Sequence, residues 1–314
     1  MAVSDRHRNP ALNIAMVREM KRSHRLEAWL LRRGLALLRA LGPVGASNFA
    51  GGLARAIGPL LPVARVADAN LLLALPELDA AKRQLVIRGM FENLGRTIGE
   101  LPHLAGLRQT DSGPGWEIEG ENILRAVAAT GGPAIFVSAH FGNWEMVPPA
   151  AARFGVHAAS MYRAANNPIV DQMINRLRRQ AMGRETILFP KGAVGARGAL
   201  RHLARGGNLG ILMDQKMNDG IAVDFFGRPA MTAPALAALA LRFRCPVIPI
   251  YARRIGPARL RVTCEPALPL PDTGDRRTDI ALLTRAVNER FEHWIRATPE
   301  CWFWVHRRWP REPA

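Results

Sequence analysis

The stretch that decides the fold is IFVSAHFGNWEM, residues 135–146. It begins as a continuous apolar run, which is typical of a strand buried on both faces of a sheet. His140 closely follows this run. Gly142 and Asn143 come next and predict a tight turn and the start of a helix, with Asn143 as its cap. A histidine at the carboxyl end of a buried strand lies where α/β folds gather their reactive groups.

A carboxylate, Glu145, follows His140 by five residues and falls in the first turn of the predicted helix. From there it is expected to accept a hydrogen bond from one ring nitrogen of His140 and to leave the other nitrogen free to take a proton. The alternative is a capping histidine and an unrelated surface glutamate. We predict His140 and Glu145 as catalytic residues, with His140 as the general base.

Outward from this stretch, short apolar runs alternate with segments of helical periodicity. The further runs that predict strands are VHAASMYR (156–163), ETILFP (185–190), NLGILMDQ (208–215), CPVIPIYARR (245–254) and RLRVTCEPAL (259–268). Between them, residues 167–183 predict a helix that begins at Asn167 and Pro168 and ends at Gly183. Strands alternating with helices predict an α/β fold with a mixed central sheet flanked by helices.

The amino-terminal part has helical periodicity only. Residues 26–64 are rich in leucine but interrupted by arginines and by prolines, among them Pro43 and Pro59, and no stretch reaches the ~20 consecutive apolar residues of a spanning helix. A basic segment of this kind favours a helix in the membrane interface, and the alternative is an ordinary helix that packs on its own domain. We divide the chain into a basic amphipathic, membrane-associating segment (1–64) and a catalytic domain (65–314).

The charge balance indicates anionic partners. Lys and Arg total 43 against 26 Asp and Glu, which gives a net charge of +17, and such a field attracts nucleic acid, anionic lipid or an acidic protein. Nucleic acid is disfavoured because no binding motif for it is present. The three cysteines include no CxxC pair, and there is no HExxH, Walker or dinucleotide motif. We therefore expect no metal and no cofactor.

Four further features follow HFGNWE in order. They are Tyr162-Arg163 with the following NN and Asp171, Asp214 in MDQ, the Thr232-Ala233 pair, and the ending PECWFWVHRRW. In this combination the chain resembles the bacterial lipid A biosynthesis acyltransferases, the lauroyl and myristoyl transferases of the lysophospholipid acyltransferase-like superfamily, from about residue 26 to 311. That family's motif is a histidine, four residues, then Asp or Glu. The resemblance makes residues 65–314 the acyltransferase domain.

The resemblance also implies a mechanism. His140 deprotonates an acceptor hydroxyl, which attacks the thioester of an acyl carrier protein, and Glu145 supports the imidazolium. The oxyanion is expected to bind backbone N–H groups after His140 or the Arg163 guanidinium. Arg163 and Asp214 are expected to bind substrate. Arg307 and Arg308 are expected to bind phosphate, and the tryptophans near them belong either to the membrane interface or to the core.

The expected partners are an acyl carrier protein thioester as donor, a lipid A precursor as glycolipid acceptor, and an anionic membrane surface, with no nucleic acid. The expected place is the cytoplasmic face of the inner membrane, with peripheral or monotopic attachment. One alternative is another glycolipid or a lysophospholipid as acceptor. A second is a serine hydrolase with Ser138, His140 and Asp214, although the Gly-x-Ser-x-Gly pattern is missing.

Overall fold

The computed structural model describes residues 22–183 and 186–310. In these ranges the chain forms ten α-helices and nine β-strands, numbered here in chain order. The helices are α1 Arg22–Ala40, α2 Gly42–Ile57, α3 Ala64–Ala74, α4 Ala80–Glu100, α5 Glu121–Thr130, α6 Val147–Arg153, α7 Pro168–Met182, α8 Ala193–Ala204, α9 Ala235–Phe243 and α10 Arg276–Ala297. The strands are β1 Gly115–Glu119, β2 Ile135–Ser138, β3 Ala158–Tyr162, β4 Leu188–Pro190, β5 Asn208–Leu212, β6 Ile221–Phe225, β7 Arg228–Thr232, β8 Val247–Gly256 and β9 Arg259–Cys264.

Seven strands form a mixed, mostly parallel sheet in the order β1-β9-β8-β2-β5-β3-β4. Every neighbouring pair is parallel except β8 and β9. Strands β8, β2, β5, β3 and β4 therefore run in one direction, and their carboxyl ends lie along one edge of the sheet. The predicted mixed sheet and all six predicted strands are confirmed. Strand β1 and the β6–β7 hairpin are additional elements that the sequence analysis does not predict.

Strand β2 lies inside the sheet because its side chains find apolar surroundings on both faces. Ile135 and Val137 pack in one hydrophobic core, and Phe136 between them packs in the other. All three are at most 4% exposed, and burial of such a side chain stabilises the fold by roughly 1.5–3 kcal/mol. The continuous apolar run therefore fixes β2 at the centre and His140 at the edge where the carboxyl ends meet.

Helices α2 and α4 pack against each other unusually closely. The α carbons of Gly95 and Gly99 face the backbone carbonyls of Ala50 and Ala46, where a Cβ atom would overlap with the carbonyl oxygen. Helix α1 in turn contacts the start of α7, because the Asn167 side chain donates hydrogen bonds to the α1 residues His24 and Glu27. The described part of the predicted segment 1–64 is thus joined to the rest of the chain, and its residues 1–21 lie outside the described residues.

None of the described helices is by itself long and apolar enough to cross a bilayer. Residues Gly42–Leu60 and Ala64–Ala74 reach that length and apolarity only as a pair, which bends by 83°. The first two helices and the turn after them nevertheless present large apolar side chains to solvent. These side chains are Leu26, Trp29, Leu30, Leu37, Leu41, Val44, Phe49, Leu53, Ile57, Leu60 and Leu61.

Candidate active site

The centre of the site is a histidine–carboxylate pair formed across two neighbouring strands. His140 follows β2 and Asp214 follows β5, and the distance from His140 Nδ1 to Asp214 Oδ1 is 2.9 Å. The backbone N–H of His140 donates to Asp214 Oδ2 at 2.9 Å. An ionised carboxylate can only accept, so the hydrogen of the neutral ring lies on Nδ1. Nε2 is then the free base, on a side chain that is 19% exposed.

Asp214 stays ionised although it is buried. Burial alone would raise its pKa, but the interactions with His140 and a hydrogen bond from Trp302 Nε1, at 2.8 Å, outweigh burial and lower the pKa to about 2. The carboxylate therefore accepts hydrogen bonds throughout the neutral pH range. Asp214, predicted as a substrate-binding residue, instead lies against the His140 ring with a side chain that is 1% exposed.

Glu145, predicted to hold His140, has a different partner. Its two carboxylate oxygens accept from Arg178 of α7, with Nε to Oε2 at 2.8 Å and Nη2 to Oε1 at 2.5 Å. Burial works against the charge of Arg178, but this carboxylate raises its pKa. The predicted hydrogen bond from His140 to Glu145 is replaced by the bond to Asp214. The Glu145–Arg178 pair instead ties the segment after His140 to α7.

The turn after His140 explains this change of partner. Gly142 has φ +58° and lies against the backbone of Ala252 in β8, a place and a conformation that exclude a Cβ atom. The predicted tight turn is confirmed. The predicted cap is not, because the Asn143 amide donates to Glu100 Oε2 at 2.7 Å and makes no capping bond. A 3₁₀ turn, Trp144–Met146, follows and carries Glu145.

A buried ion pair fixes the position of the turn after His140. Glu100, which is fully buried, accepts from Arg254 Nη2 of β8 at 2.6 Å, from Ser47 Oγ of α2 at 2.7 Å, and from the Asn143 amide. Removal of one partner from such a buried pair typically costs about 3–5 kcal/mol because the other charge is left uncompensated. Residues of α2, α4 and β8 therefore hold the backbone that follows His140.

The backbone N–H groups predicted to bind an oxyanion are already engaged. Those of Phe141, Gly142 and Asn143 donate to the carbonyls of Ala139, Cys301 and Ala252, at 2.7, 2.8 and 2.8 Å respectively. The backbone N–H of His140 donates to Asp214, as described above. An oxyanion near His140 must therefore be stabilised by side chains or by other parts of the backbone.

Two cations lie at the ends of the next two strands. Arg163 follows β3 and Lys191 follows β4, and both are exposed. Their positive charges act on His306, whose ring lies beside that of His140 with centroids 5.7 Å apart. The predicted site residue Arg163 is thus placed at the same sheet edge as His140. Lys191 and His306 are additional residues that the sequence analysis did not assign to the site.

Arg307 and Arg308, adjacent in the carboxyl-terminal segment, have different surroundings. Arg307 is exposed. Arg308, also predicted to bind phosphate, is 1% exposed and instead donates to the Met231 carbonyl at 3.0 Å and to Thr232 Oγ1 at 2.6 Å. Burial, partly offset by Asp214, lowers its pKa to about 10. Arg308 therefore joins the carboxyl-terminal segment to β7 and is not open to a ligand.

The tryptophans of the same segment belong to the core. The four residues are Trp294, Trp302, Trp304 and Trp309, and each is at most 5% exposed. The alternative of a membrane interface is excluded for them. Trp302 packs on Trp304, both Trp302 and Trp309 pack on Phe225, and Trp294 packs on Tyr251 and Phe291. Trp302 is the one that reaches the site, through its bond to Asp214.

The geometry does not support a serine nucleophile. Ser138 is 5% exposed, and its buried Oγ has no hydrogen-bond partner in residues 22–183 and 186–310. Nucleophile and base must lie within hydrogen-bond reach in a hydrolase of this type, but the His140 ring nitrogens face Asp214 and Gln215.

As for metals, residues 22–183 and 186–310 contain no group of three or more His, Cys, Asp or Glu side chains that could hold an ion.

Comparison with known proteins gives one consistent result. A family model described as bacterial lipid A biosynthesis acyltransferase matches residues 16–311. Lipid A biosynthesis acyltransferase 1 of Shigella flexneri is 26% identical over 242 residues, 75% of this chain and 72% of that protein. Lipid A biosynthesis myristoyltransferase of Escherichia coli (strain K12) is 26% identical over 240 residues, with 75% and 72% covered. Lipid A biosynthesis acyltransferase of Haemophilus influenzae is 24% identical over 242 residues, with 76% and 73% covered.

Proposed function

Because the chain belongs to the bacterial lipid A biosynthesis acyltransferases, and is therefore an acyltransferase, we propose that it moves a fatty acyl chain from an acyl carrier protein thioester to a hydroxyl of a lipid A precursor. The observation that carries the mechanism is the His140–Asp214 pair, which leaves Nε2 of the neutral ring unprotonated. A general base in this state can activate a hydroxyl without forming an acyl-enzyme.

In the proposed reaction, His140 alone carries the proton from the acceptor hydroxyl to the departing thiolate. Nε2 takes the proton of the acceptor hydroxyl as its oxygen attacks the thioester carbonyl carbon, and the tetrahedral intermediate then breaks its C–S bond. The departing thiolate takes the proton from Nε2, which restores the neutral ring. Asp214 holds the ring in the basic tautomer and stabilises the imidazolium between these steps. Glu145 supports the site through its ion pair with Arg178 of α7.

Mass spectrometry of lipids tests the proposed function directly. A strain that lacks the gene should produce lipid A short of one acyl chain, and the wild-type gene, but not a His140→Ala copy, should restore that chain. The mass of the missing chain identifies the donor's acyl group. Unchanged lipid A would contradict the proposal. An acyl chain lost from another glycolipid or from a phospholipid would establish the alternative acceptor.

We further propose that α1 and α2 attach the protein to the cytoplasmic face of the inner membrane. The exposed apolar side chains of these helices, of which Trp29 and Leu30 are 51% and 55% exposed, accompany basic residues such as Arg32 and Arg33. An apolar surface with neighbouring cations is typical of a helix in the interface of an anionic bilayer.

Vesicle flotation checks this attachment. Wild-type protein should float with phosphatidylglycerol-containing vesicles, and Trp29→Glu with Leu30→Glu should weaken the binding about tenfold or more, because charge replaces buried apolar surface. Leu282→Glu on α10, at an apolar residue of similar exposure (42%), is the matched control and should bind like the wild type. Wild-type protein that stays in solution at low salt would contradict the attachment.

Arg307 and Arg163 are proposed to bind the phosphate of the acceptor. Both are exposed, and neither has a hydrogen-bond or ion-pair partner within the described part of the chain. Loss of a charge-assisted hydrogen bond costs about 1.5–3 kcal/mol. Arg307→Gln should therefore raise the KM for the phosphorylated acceptor about tenfold or more, with little change for a dephosphorylated analogue. Arg285→Gln, on the surface of α10, should change neither, and equal effects of Arg307→Gln on both acceptors would indicate a structural role.

A further inference from the structure

One amide group joins the rings of His140 and His306. Gln215 Nε2 lies 3.0 Å from His306 Nε2 and 3.4 Å from His140 Nε2. An amide nitrogen carries two hydrogens, so it can donate to two unprotonated ring nitrogens at once. His140 Nε2 is unprotonated because its hydrogen lies on Nδ1, which fixes the amide with its nitrogen toward the rings. The hydrogen bond to His306 is the shorter and therefore the stronger of the two. The second N–H makes only a long, weak hydrogen bond to His140 and is loosely held.

This loosely held N–H lies where the reaction takes place. The acceptor hydroxyl has to come within about 2.6–3.2 Å of His140 Nε2 to lose its proton, which is the space that the Gln215 N–H faces. The thioester carbonyl must meet that hydroxyl oxygen, so its developing negative charge forms close to the same amide. The backbone N–H groups of residues 140–143 are engaged elsewhere, as shown above. Gln215 is therefore a neutral side-chain donor next to the reacting atoms.

We propose that Gln215 is a further catalytic residue, which donates an amide hydrogen bond to the oxyanion of the tetrahedral intermediate. His306 is the positioning residue that orients this amide by accepting its other N–H. The inference rests on the proposed acyl transfer and adds to it the group that stabilises the oxyanion. No proton leaves the amide: the oxyanion is bound while it exists, and it re-forms a carbonyl when the C–S bond breaks.

His306 is held in place for this task. Asn70 Nδ2 donates to its backbone carbonyl at 2.6 Å, and its ring packs edge-on against Phe303 with centroids 4.9 Å apart. Burial and the nearby positive groups lower its pKa below the ordinary 6.5, against the opposing charge of Asp214. The positive groups in question are His140 when protonated, Arg163 and Lys191.

The protonation state of His306 then governs the amide. In the neutral state its Nε2 accepts from Gln215. When the His306 ring takes a proton, its Nε2–H faces the N–H of the Gln215 amide. The amide must then turn its oxygen toward His306 and its N–H groups away. The contribution of Gln215 should therefore be complete above the pKa of His306 and lost as the pH falls through it.

Steady-state kinetics of the full-length enzyme test the proposal, with an acyl carrier protein thioester and a lipid A precursor, over about pH 5–8. Gln215→Ala should lower kcat by about 10²–10³, the usual cost of one oxyanion donor, with KM nearly unchanged. Gln215→Glu, of almost the same shape, should fall at least as far, since a carboxylate repels the oxyanion. Thermal unfolding of both variants identifies any that fail to fold.

His306→Gln supplies the readout that a merely structural residue would not change. Its side-chain oxygen can still accept from Gln215 but cannot take a proton, so kcat near pH 8 should stay within about fivefold of the wild type. In this variant, the decrease of kcat at low pH should no longer include the ionisation step of His306. His306→Leu, which cannot accept, should reproduce most of the loss seen in Gln215→Ala.

The possible results separate this proposal from the function on which it rests. A folded Gln215→Ala or Gln215→Glu enzyme with kcat within threefold of the wild type would overturn the role of Gln215. A pH profile of His306→Gln identical to that of the wild type would overturn the role of His306. A wild-type enzyme that transfers no acyl chain between these two substrates would overturn the proposed function, and the inference with it.

Discussion

Asp214→Asn is expected to lower kcat by about 10³–10⁴, the size of effect that follows when a catalytic histidine is held in the wrong tautomer. Among the described residues, Asp214 Oδ2 accepts two hydrogen bonds, from the His140 backbone and from Trp302, whereas Oδ1 accepts one, from His140 Nδ1. An asparagine satisfies more donors if its single oxygen takes the Oδ2 place. Its amide N–H then faces His140 Nδ1, which must become the acceptor, so the ring hydrogen moves to Nε2 and the base is lost.

Acyl transfer from an acyl carrier protein thioester to a lipid A precursor measures this effect. Ser138→Ala is the matched control, because its hydroxyl is buried at the end of β2, next to β5, and has no hydrogen-bond partner among the described residues. That variant should keep most of the activity. Near-normal turnover in Asp214→Asn would contradict its role, and a trapped acyl group on Ser138 would show that the enzyme uses a serine nucleophile instead.

His140→Ala is expected to lower kcat by roughly 10⁴, the upper end of the range for loss of general-base assistance. No other imidazole replaces it, because the Nε2 atom of His306 faces Gln215 at 3.0 Å. Since His140 and Asp214 act as one unit, His140→Ala combined with Asp214→Asn should cost little more than His140→Ala alone. Rates for the single and double variants, measured together, test this. A double-variant loss equal to the product of the two single losses would mean that the residues act independently.

Much of the fold follows from local sequence patterns. The apolar runs that predict β2, β3, β4, β5, β8 and β9 correspond to strands of the central sheet, and β2, at its centre, is buried along its whole length. Helix α7 begins and ends where Asn167 and Gly183 predict it. Strand β1 lies at the sheet edge, and its sequence GWEIE alternates apolar with charged residues instead of forming the continuous apolar run of a strand inside the sheet. In the β6–β7 hairpin, Asp224 interrupts the short apolar run of β6, and β7 begins with Arg228 and Pro229, so neither strand has a long continuous apolar run.

The partners within the site depend on contacts between distant residues. Glu145 is close to His140 in sequence, but the backbone turn at Gly142 takes it toward Arg178. Asp214 is 74 residues away, and only the adjacency of β2 and β5 places it beside the imidazole. No local pattern states which strands are neighbours, so the motif locates the histidine but not its carboxylate.

The same limit applies to the carboxyl-terminal arginines. Arg307 and Arg308 are adjacent in the chain and identical in chemistry, and only the tertiary packing separates them. One is exposed, while the other is enclosed by β7 and the Phe225 ring, whose centroid lies 4.9 Å from its guanidinium carbon. A pattern of basic residues therefore indicates anion binding only after burial is known.

Nitrogen NMR of the imidazole determines whether Asp214 or Glu145 holds His140 in its basic tautomer. Long-range correlation of ¹⁵N-histidine enzyme, with His140→Gln for assignment, reports which ring nitrogen carries the hydrogen in the neutral ring. If Asp214 holds the ring, Nδ1 is protonated in the wild type and in Glu145→Gln, and the hydrogen is transferred to Nε2 in Asp214→Asn. A tautomer that changes in Glu145→Gln and stays the same in Asp214→Asn would contradict this role of Asp214.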